Sequence, residues 1–495
     1  MSRHLHAVRD PDAPTAGREG APADVSSAAL DETARWPLTA LLGVSLAGLF
    51  WWGLFQVLAA IKLHAPGFLA GCPWLTYGRV QPVAWNLLVY GFGIPVGLMV
   101  ATWITSRLSR TALVGGALIF LGSAVWGGGV LLGVLAIFSG HSTGVEGLEM
   151  PGFTVPVLFV GYLLMASPLL MTFFTRRATE VYVSQWYILS AVVVFPWLYL
   201  AGALQAVVYP GRGVLPASIA SWFVHGVLVC WFGGLALAVA LYFLPKLTGR
   251  PLPSRNLAVF GFWMLVFFGP LGGMVRRLDG PFPAWMSSLG VASCSLVLVA
   301  GYALLVNLAI LLRGLGATVR AGTVTAFMAF SAGSFLLWTL LVPLSGFEFL
   351  HARTGYTLFA AGLDWLVLWG AFGTAMLGAL YYIVPRLLGE DWIRPGWVRL
   401  HFGLAVGAVT LLVLSSLLGG WVQGGAINDP SLEYVRVAKR YIPFAATGTL
   451  AFLVLWGGAL LLVIQLKWML LRRWLGHCLP KLRGWCAPVD SEVRA

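Results

Sequence analysis

Twelve stretches of this chain are apolar for long enough to cross a bilayer as helices, each needing about 20 such residues. They fall near 37–62, 83–105, 112–138, 153–174, 185–208, 219–244, 256–274, 285–312, 323–345, 358–384, 400–422 and 444–471. Hydrocarbon offers backbone N–H and C=O groups no partner, so each stretch is predicted to be helical. The fold class that follows is an all-α polytopic membrane protein. With 59% hydrophobic and only 10% charged residues, the chain lacks the polar surface that a soluble enzyme or a disordered protein requires. Its formal charge is +13, from 31 Lys and Arg against 18 Asp and Glu. No basic stretch is interleaved with aromatics in a polar segment, so no nucleic-acid partner is expected. The bases concentrate instead in alternate loops and in the tails, which predicts that both termini are cytoplasmic.

Three regions follow. Residues 1–35, mixing Arg, Asp, Ala and Pro, read as a mobile cytoplasmic tail; 36–472 form the twelve-helix membrane domain; 473–495 form a basic cytoplasmic tail. Arg472, Arg473, Lys481 and Arg483 suit an anionic lipid surface, which makes membrane lipid the first expected partner. The five cysteines form no Cys-x-x-Cys pattern, which argues against a covalently attached haem and a thiolate zinc site.

One internal echo bears on architecture. The octet from Tyr242 to Gly249 ends the sixth stretch, and the octet from Tyr382 to Gly389 ends the tenth. Each places Tyr, then Pro, a base and a terminal Gly in the same order, a helix stop at a membrane interface. Four helices separate them, which predicts three arcs of four helices with the second, sixth and tenth in equivalent places. A generic helix exit is the alternative.

Several motifs together resemble subunit I of the haem-copper oxidases, most closely the cytochrome cbb-type branch. They are Trp74-Leu75-Thr76-Tyr77-Gly78-Arg79 with Pro82 and Asn86, then Val181 to Tyr187, and Trp222-Phe223-Val224-His225. The two octets, Gly269-Pro270 and Pro283-Ala284-Trp285 complete the set, in family order from about 40 to 425. The resemblance implies six histidines on helices 2, 6, 7 and 10 that hold two haems and a copper. Carried over position by position, they become Ala84, His225, the pair Leu271-Gly272 (or Val275-Arg276), and Leu363 and Trp365 around Asp364. Only His225 is a histidine. The family's helix 9 carboxylate becomes Leu341. Ala84, Leu363 and Trp365 cannot ligate haem, so no cofactor is expected; Trp85 and Trp365 are bulky enough to occupy part of its space.

His225 is open to three readings: a relic copper ligand, a proton-binding group, or a satisfied core histidine. An ionisable group in an apolar helix is usually paired or functional, so Asp364 is expected to meet Arg276 or Arg277; otherwise the arginines are interfacial and Asp364 turns toward water or another helix. Glu146 and Glu149 lie in a Gly-rich loop, 139–152. It reads as a solvated loop, with an acidic rim for a basic cytochrome domain as the alternative. The leading functional expectation is a degenerate, non-haem scaffold or docking subunit of a respiratory electron-transfer complex in a bacterial-type inner membrane. Its expected partners are other subunits, such as a membrane-anchored cytochrome. The alternatives are an active terminal oxidase or nitric oxide reductase subunit, carrying haem b and copper, and a transporter using the vacated cavity.

Overall fold

A computed structural model describes residues 26–278, 280–313 and 322–485. Among these residues the structure is all helix and loop, with no strand. Eleven helices are long and apolar enough to span a bilayer, and a bent pair makes a twelfth crossing if counted as one. In chain order they are α1 (Ser27–His64), α2 (Tyr77–Ser109), α3 (Gly116–Phe138), α4 (Gly152–Phe174), α5 (Val183–Val208) and α6 (Leu215–Thr248). Next come α7 (Arg255–Phe268 with Pro270–Arg277), α8 (Ala284–Leu311), α9 (Thr323–Ser345), α10 (Leu358–Leu388), α11 (Pro395–Ile427) and α12 (Tyr434–Trp485). A short helix, Glu348–Thr354, links α9 to α10.

A helix that is apolar on every side has to be covered on every side. That condition picks out α2, α6 and α10, whose membrane windows are 100%, 100% and 94% buried, against 39–56% in the other straight spans. Each of the three widens into a π-helical turn: Leu87–Gly93, Val227–Gly233 and Leu366–Gly373. Each wide turn closes on a Phe-Gly pair, and Gly93, Gly233 and Gly373 are equally spaced along the chain. Phe232 and Phe372 meet edge to face at 4.8 Å.

The two octets converge in space. Trp103 of α2 stacks on Phe243 (6.4 Å) and meets Tyr382 edge-on (6.0 Å), while Phe243 lies 5.1 Å from Tyr382. The Arg386 guanidinium sits 3.5 Å over the Tyr382 ring, a cation–π contact. Gly249 and Gly389 both stop their helices at φ +66°, a left-handed conformation that costs glycine nothing.

Three boundaries differ from the sequence reading. The first helix starts at Ser27, so the part of the expected 1–35 tail from 27 onward is helical; residues 1–25 lie outside the described residues. The Ser26 hydroxyl caps it by accepting from the Ala29 N–H. Asp31 then anchors it to α2, accepting from Trp103 Nε1 (2.9 Å) and pairing with Arg107. At the other end α12 runs on to Trp485, so the expected tail begins as helix. The seventh span is not one rod: it bends by 56° between Phe268 and Pro270. Pro270 has no N–H to give the preceding turn, and residues 270–277 continue as a tighter 3₁₀ turn.

Candidate functional site

The bend in α7 packs the segment after Pro270 against the first half of α6 and against α8, within reach of Asp364 on α10. Its first consequence is at His225. The ring, 3% exposed, has Nε2 3.7 Å from the Cys294 Sγ of α8, and it stacks on Trp338 of α9 at 6.2 Å. Gly272 closes the third side: a Cβ there would lie 2.6 Å from both His225 Nε2 and Cys294 Sγ. Of the two placements weighed for the family's helix 7 ligands, Leu271-Gly272 therefore puts Gly272 against His225. Leu271 itself points outward, 41% exposed.

One turn further on lies a four-charge cluster. Arg276 donates to both oxygens of Asp364, at 2.7 and 3.0 Å, and to Glu146 Oε1 at 2.9 Å. Arg277 donates to Glu146 Oε2 at 2.9 Å and through Nε to the Ser221 hydroxyl at 2.7 Å. Asp364 is thus held by Arg276 and not by Arg277. Both side chains of that pair are mostly buried, 18% and 14% exposed, where a lone charge would be costly.

The 139–152 loop is not the solvated loop read from its glycines. Leu148 and Met150 are buried, Glu149 turns inward, and Glu146 reaches the arginines while staying 43% exposed. Glu149 accepts from Asn86 Nδ2 (3.0 Å) and from the Gly147 N–H (2.9 Å), while Tyr90 donates to the Gly147 carbonyl (2.9 Å). Gly147 adopts φ +79°, and a Cβ there would meet Val224 at 2.5 Å, so only glycine fits. Burial raises the Glu149 carboxyl from the ordinary 4.5 to about 7, against the opposing hydrogen bonds and with the Glu146 charge adding to the rise. For Glu146, Arg276 and Arg277 outweigh burial and hold the carboxyl below its ordinary value.

A raised carboxyl pKa means that folding favours the protonated form. The contribution of Glu149 is complete below the ordinary carboxylate range and is lost as pH rises through about 7. The loss is on the order of 1–3 kcal/mol. The melting temperature of the detergent-solubilised protein is therefore expected to fall between pH 5 and pH 8. Glu149→Gln should flatten that slope; an unchanged slope in the variant would assign it to other groups.

Below the charge cluster lies a cavity of about 180 Å³. The arginines, Glu146, Asp364 and Tyr356 are among its polar lining, Leu228, Val275, Trp338, Val342 and Leu363 among its apolar lining, and His225 reaches it from α6.

The remaining sequence-derived positions are buried, and one of them belongs to a packed aromatic layer. Ala84 is fully buried, and Leu363 and Trp365 are 7% and 8% exposed. Trp365 meets Trp85 at 6.4 Å and Phe452 at 5.1 Å, both edge-on. Trp369, one turn along α10, packs on Trp52 at 4.7 Å and on Phe92 at 5.8 Å. Sequence reasoning gave no role to Trp369, Cys294 or Trp338, which are apolar residues inside apolar spans and carry no local signal. Among the described residues, no three His, Cys, Asp or Glu side chains come together as a metal-binding group.

A helical membrane bundle with three enclosed inner helices, and a site between two of them and the bent α7, is thereby defined. The chain belongs to the cytochrome c and quinol oxidase polypeptide I family, the haem-copper oxidase subunit I family, whose pattern matches residues 37–474. It is 24% identical to the cbb3-type cytochrome c oxidase subunit CcoN1 of Stutzerimonas stutzeri, over 76% of this chain and 83% of that one. It is 27% identical to cytochrome c oxidase subunit 1 of Rhodobacter capsulatus, over 77% of this chain and 75% of the relative. A bacteroid cytochrome c oxidase subunit 1 homologue of Bradyrhizobium diazoefficiens is 23% identical, over 85% and 80% respectively.

Proposed function

We propose that this chain is a member of the family that binds neither haem nor copper and serves as a scaffold or docking subunit of a respiratory electron-transfer complex. It would sit in a bacterial-type plasma membrane beside other subunits, such as a membrane-anchored cytochrome, with its twelve helices in three arcs of four. The observation that carries this reading is the chemistry of the ligand positions. Ala84, Leu363 and Trp365 offer no nitrogen that can bind a haem iron, and the Trp365 ring packs edge-on against Trp85 and Phe452. At the copper position His225 has one other donor side chain, Cys294, within reach, whereas a firmly held metal needs three or four. These side chains do not fit the family's cofactors, so no redox step is assigned to the chain. A transporter would be favoured by a pair of interrupted helices; among the described residues only α7 is bent by more than 40° at such a break.

Haem analysis tests the proposal. A reduced-minus-oxidised spectrum of the purified protein should contain no haem b band, and metal analysis should find no stoichiometric copper. A one-to-one haem content, or unaided consumption of oxygen or nitric oxide, would sink it. The same reading places both termini in the cytoplasm, so alkaline phosphatase fused to the C-terminus should be inactive; an active fusion would invert the topology.

A further inference from the structure

The charge cluster balances only because a loop residue completes it. Arg276 and Arg277 carry two positive charges, and Asp364 supplies one negative charge from α10. The second comes from Glu146, the most exposed acid of the set, with its side chain 43% exposed against 14% for Asp364. Its two carboxylate oxygens go to two different arginines, each at 2.9 Å. Without Glu146 each arginine would still be anchored, Arg276 by Asp364 and Arg277 by Ser221, and the clamp would carry one net positive charge. A pre-positioned pair of guanidinium groups is the usual receptor for a carboxylate.

We propose that this clamp is the mouth of a ligand site for a small monocarboxylate with an apolar body, and that Glu146 occupies it from within. The body would enter the cavity below. That cavity measures about 180 Å³, and one of roughly 150 Å³ accepts a benzene ring. Its lining joins the two arginines to Leu228, Val275, Trp338, Val342 and Leu363, with Ser345 and Tyr356 among its polar members, so a molecule with one charged end and an apolar body finds both kinds of surface in it. Glu146 sits on a loop whose Gly140, Gly144 and Gly147 all have positive φ, and it is linked to the bundle at this point by its own carboxylate. A competing carboxylate takes over the two arginines and releases the Glu146 carboxylate, already 43% exposed, to solvent. The inference rests on the haem-free reading to the extent that a bound haem would take the same space.

Benzoate is the probe, titrated calorimetrically into the full-length protein in detergent. Glu146→Ala should bind it at least tenfold more tightly than the unaltered chain. Adding Arg277→Gln to that variant should remove the gain, and benzamide, of the same shape without the charge, should bind neither form appreciably. Equal benzoate affinity in both forms, no binding in either, or benzamide binding as well as benzoate would each overturn the proposal. If Glu146→Ala does not yield folded protein, Glu146→Gln keeps the volume, removes the charge and carries the same comparison. A haem spectrum of the same preparation separates the two ideas: failure with haem present defeats both, and failure without it defeats the clamp alone.

Discussion

Replacing Asp364 by Asn is expected to destabilise the protein by about 2–3 kcal/mol, below the 3–5 kcal/mol for breaking a fully buried pair, because this pair keeps some contact with solvent. The substitution leaves the shape of the side chain and removes its charge. Arg276, 18% exposed, then retains only Glu146, whose own carboxylate is shared with Arg277. A denaturation midpoint in detergent measures the loss. Arg276→Met should cost a similar amount by stranding Asp364 in the same place. The double variant should cost clearly less than the sum of the two, since neither charge of the pair is then left stranded without the other. A cycle with additive effects would mean that the two side chains do not share their energy, and an Asp364→Asn protein as stable as the parent would remove the pair as a structural element.

The pair was legible because of where Asp364 stands. A carboxylate in an apolar span has to find a cation, and the nearest bases in an adjoining segment were Arg276 and Arg277. Choosing between them needed the bend in α7, a tertiary feature: Gly269-Pro270 permits a break, but only packing of the following turn on α6 fixes its direction. Glu146 was hidden for a different reason. Glycines and acids in a short loop usually mean water, and the contrary signal lay in Leu148 and Met150, two large apolar residues flanking Glu149 that a solvated loop has no reason to carry.

The spans themselves were readable because a bilayer imposes one length on every helix, and their observed positions depart from the sequence reading mainly at the ends. There the apolar count stops being informative, and caps such as Ser26 or anchors such as Asp31 decide. The octet repeat was visible in α6 and α10 through Pro and Gly. In α2 the corresponding exit has Ser106 and Arg110, so the echo vanishes from the sequence. The backbone keeps it nonetheless: Arg110 stops α2 at φ +50°, and Trp103 joins the same aromatic cluster as Phe243 and Tyr382. The wide turns in the three inner helices were equally silent, because an extra residue in a turn leaves an all-apolar sequence all apolar.

The aromatic layer yields the second large effect. Trp369 is 1% exposed, wedged between Trp52 and Phe92 on the wide turn of α10. Trp369→Ala should cost about 3–5 kcal/mol, the range for emptying a large aromatic site that its neighbours cannot collapse into. Collapse is opposed here because α2, α6 and α10 are enclosed on every side. Trp369→Phe separates the two things the indole contributes. The indole N–H has no hydrogen-bond partner among the described residues, as is also true of Trp52 and Trp231, so deleting it forfeits no bond seen there. The phenyl ring keeps most of the contact area, and this variant should stay within about 1.5 kcal/mol of the parent. The pair of variants, compared by denaturation midpoint, therefore tests what the tryptophan is for. A large loss for Ala with a small one for Phe makes it a space-filling group in an interior that has closed on itself. A loss for Phe as large as that for Ala would give the N–H a partner or a task, and the interior of the three inner helices would then have to be polar enough to supply it.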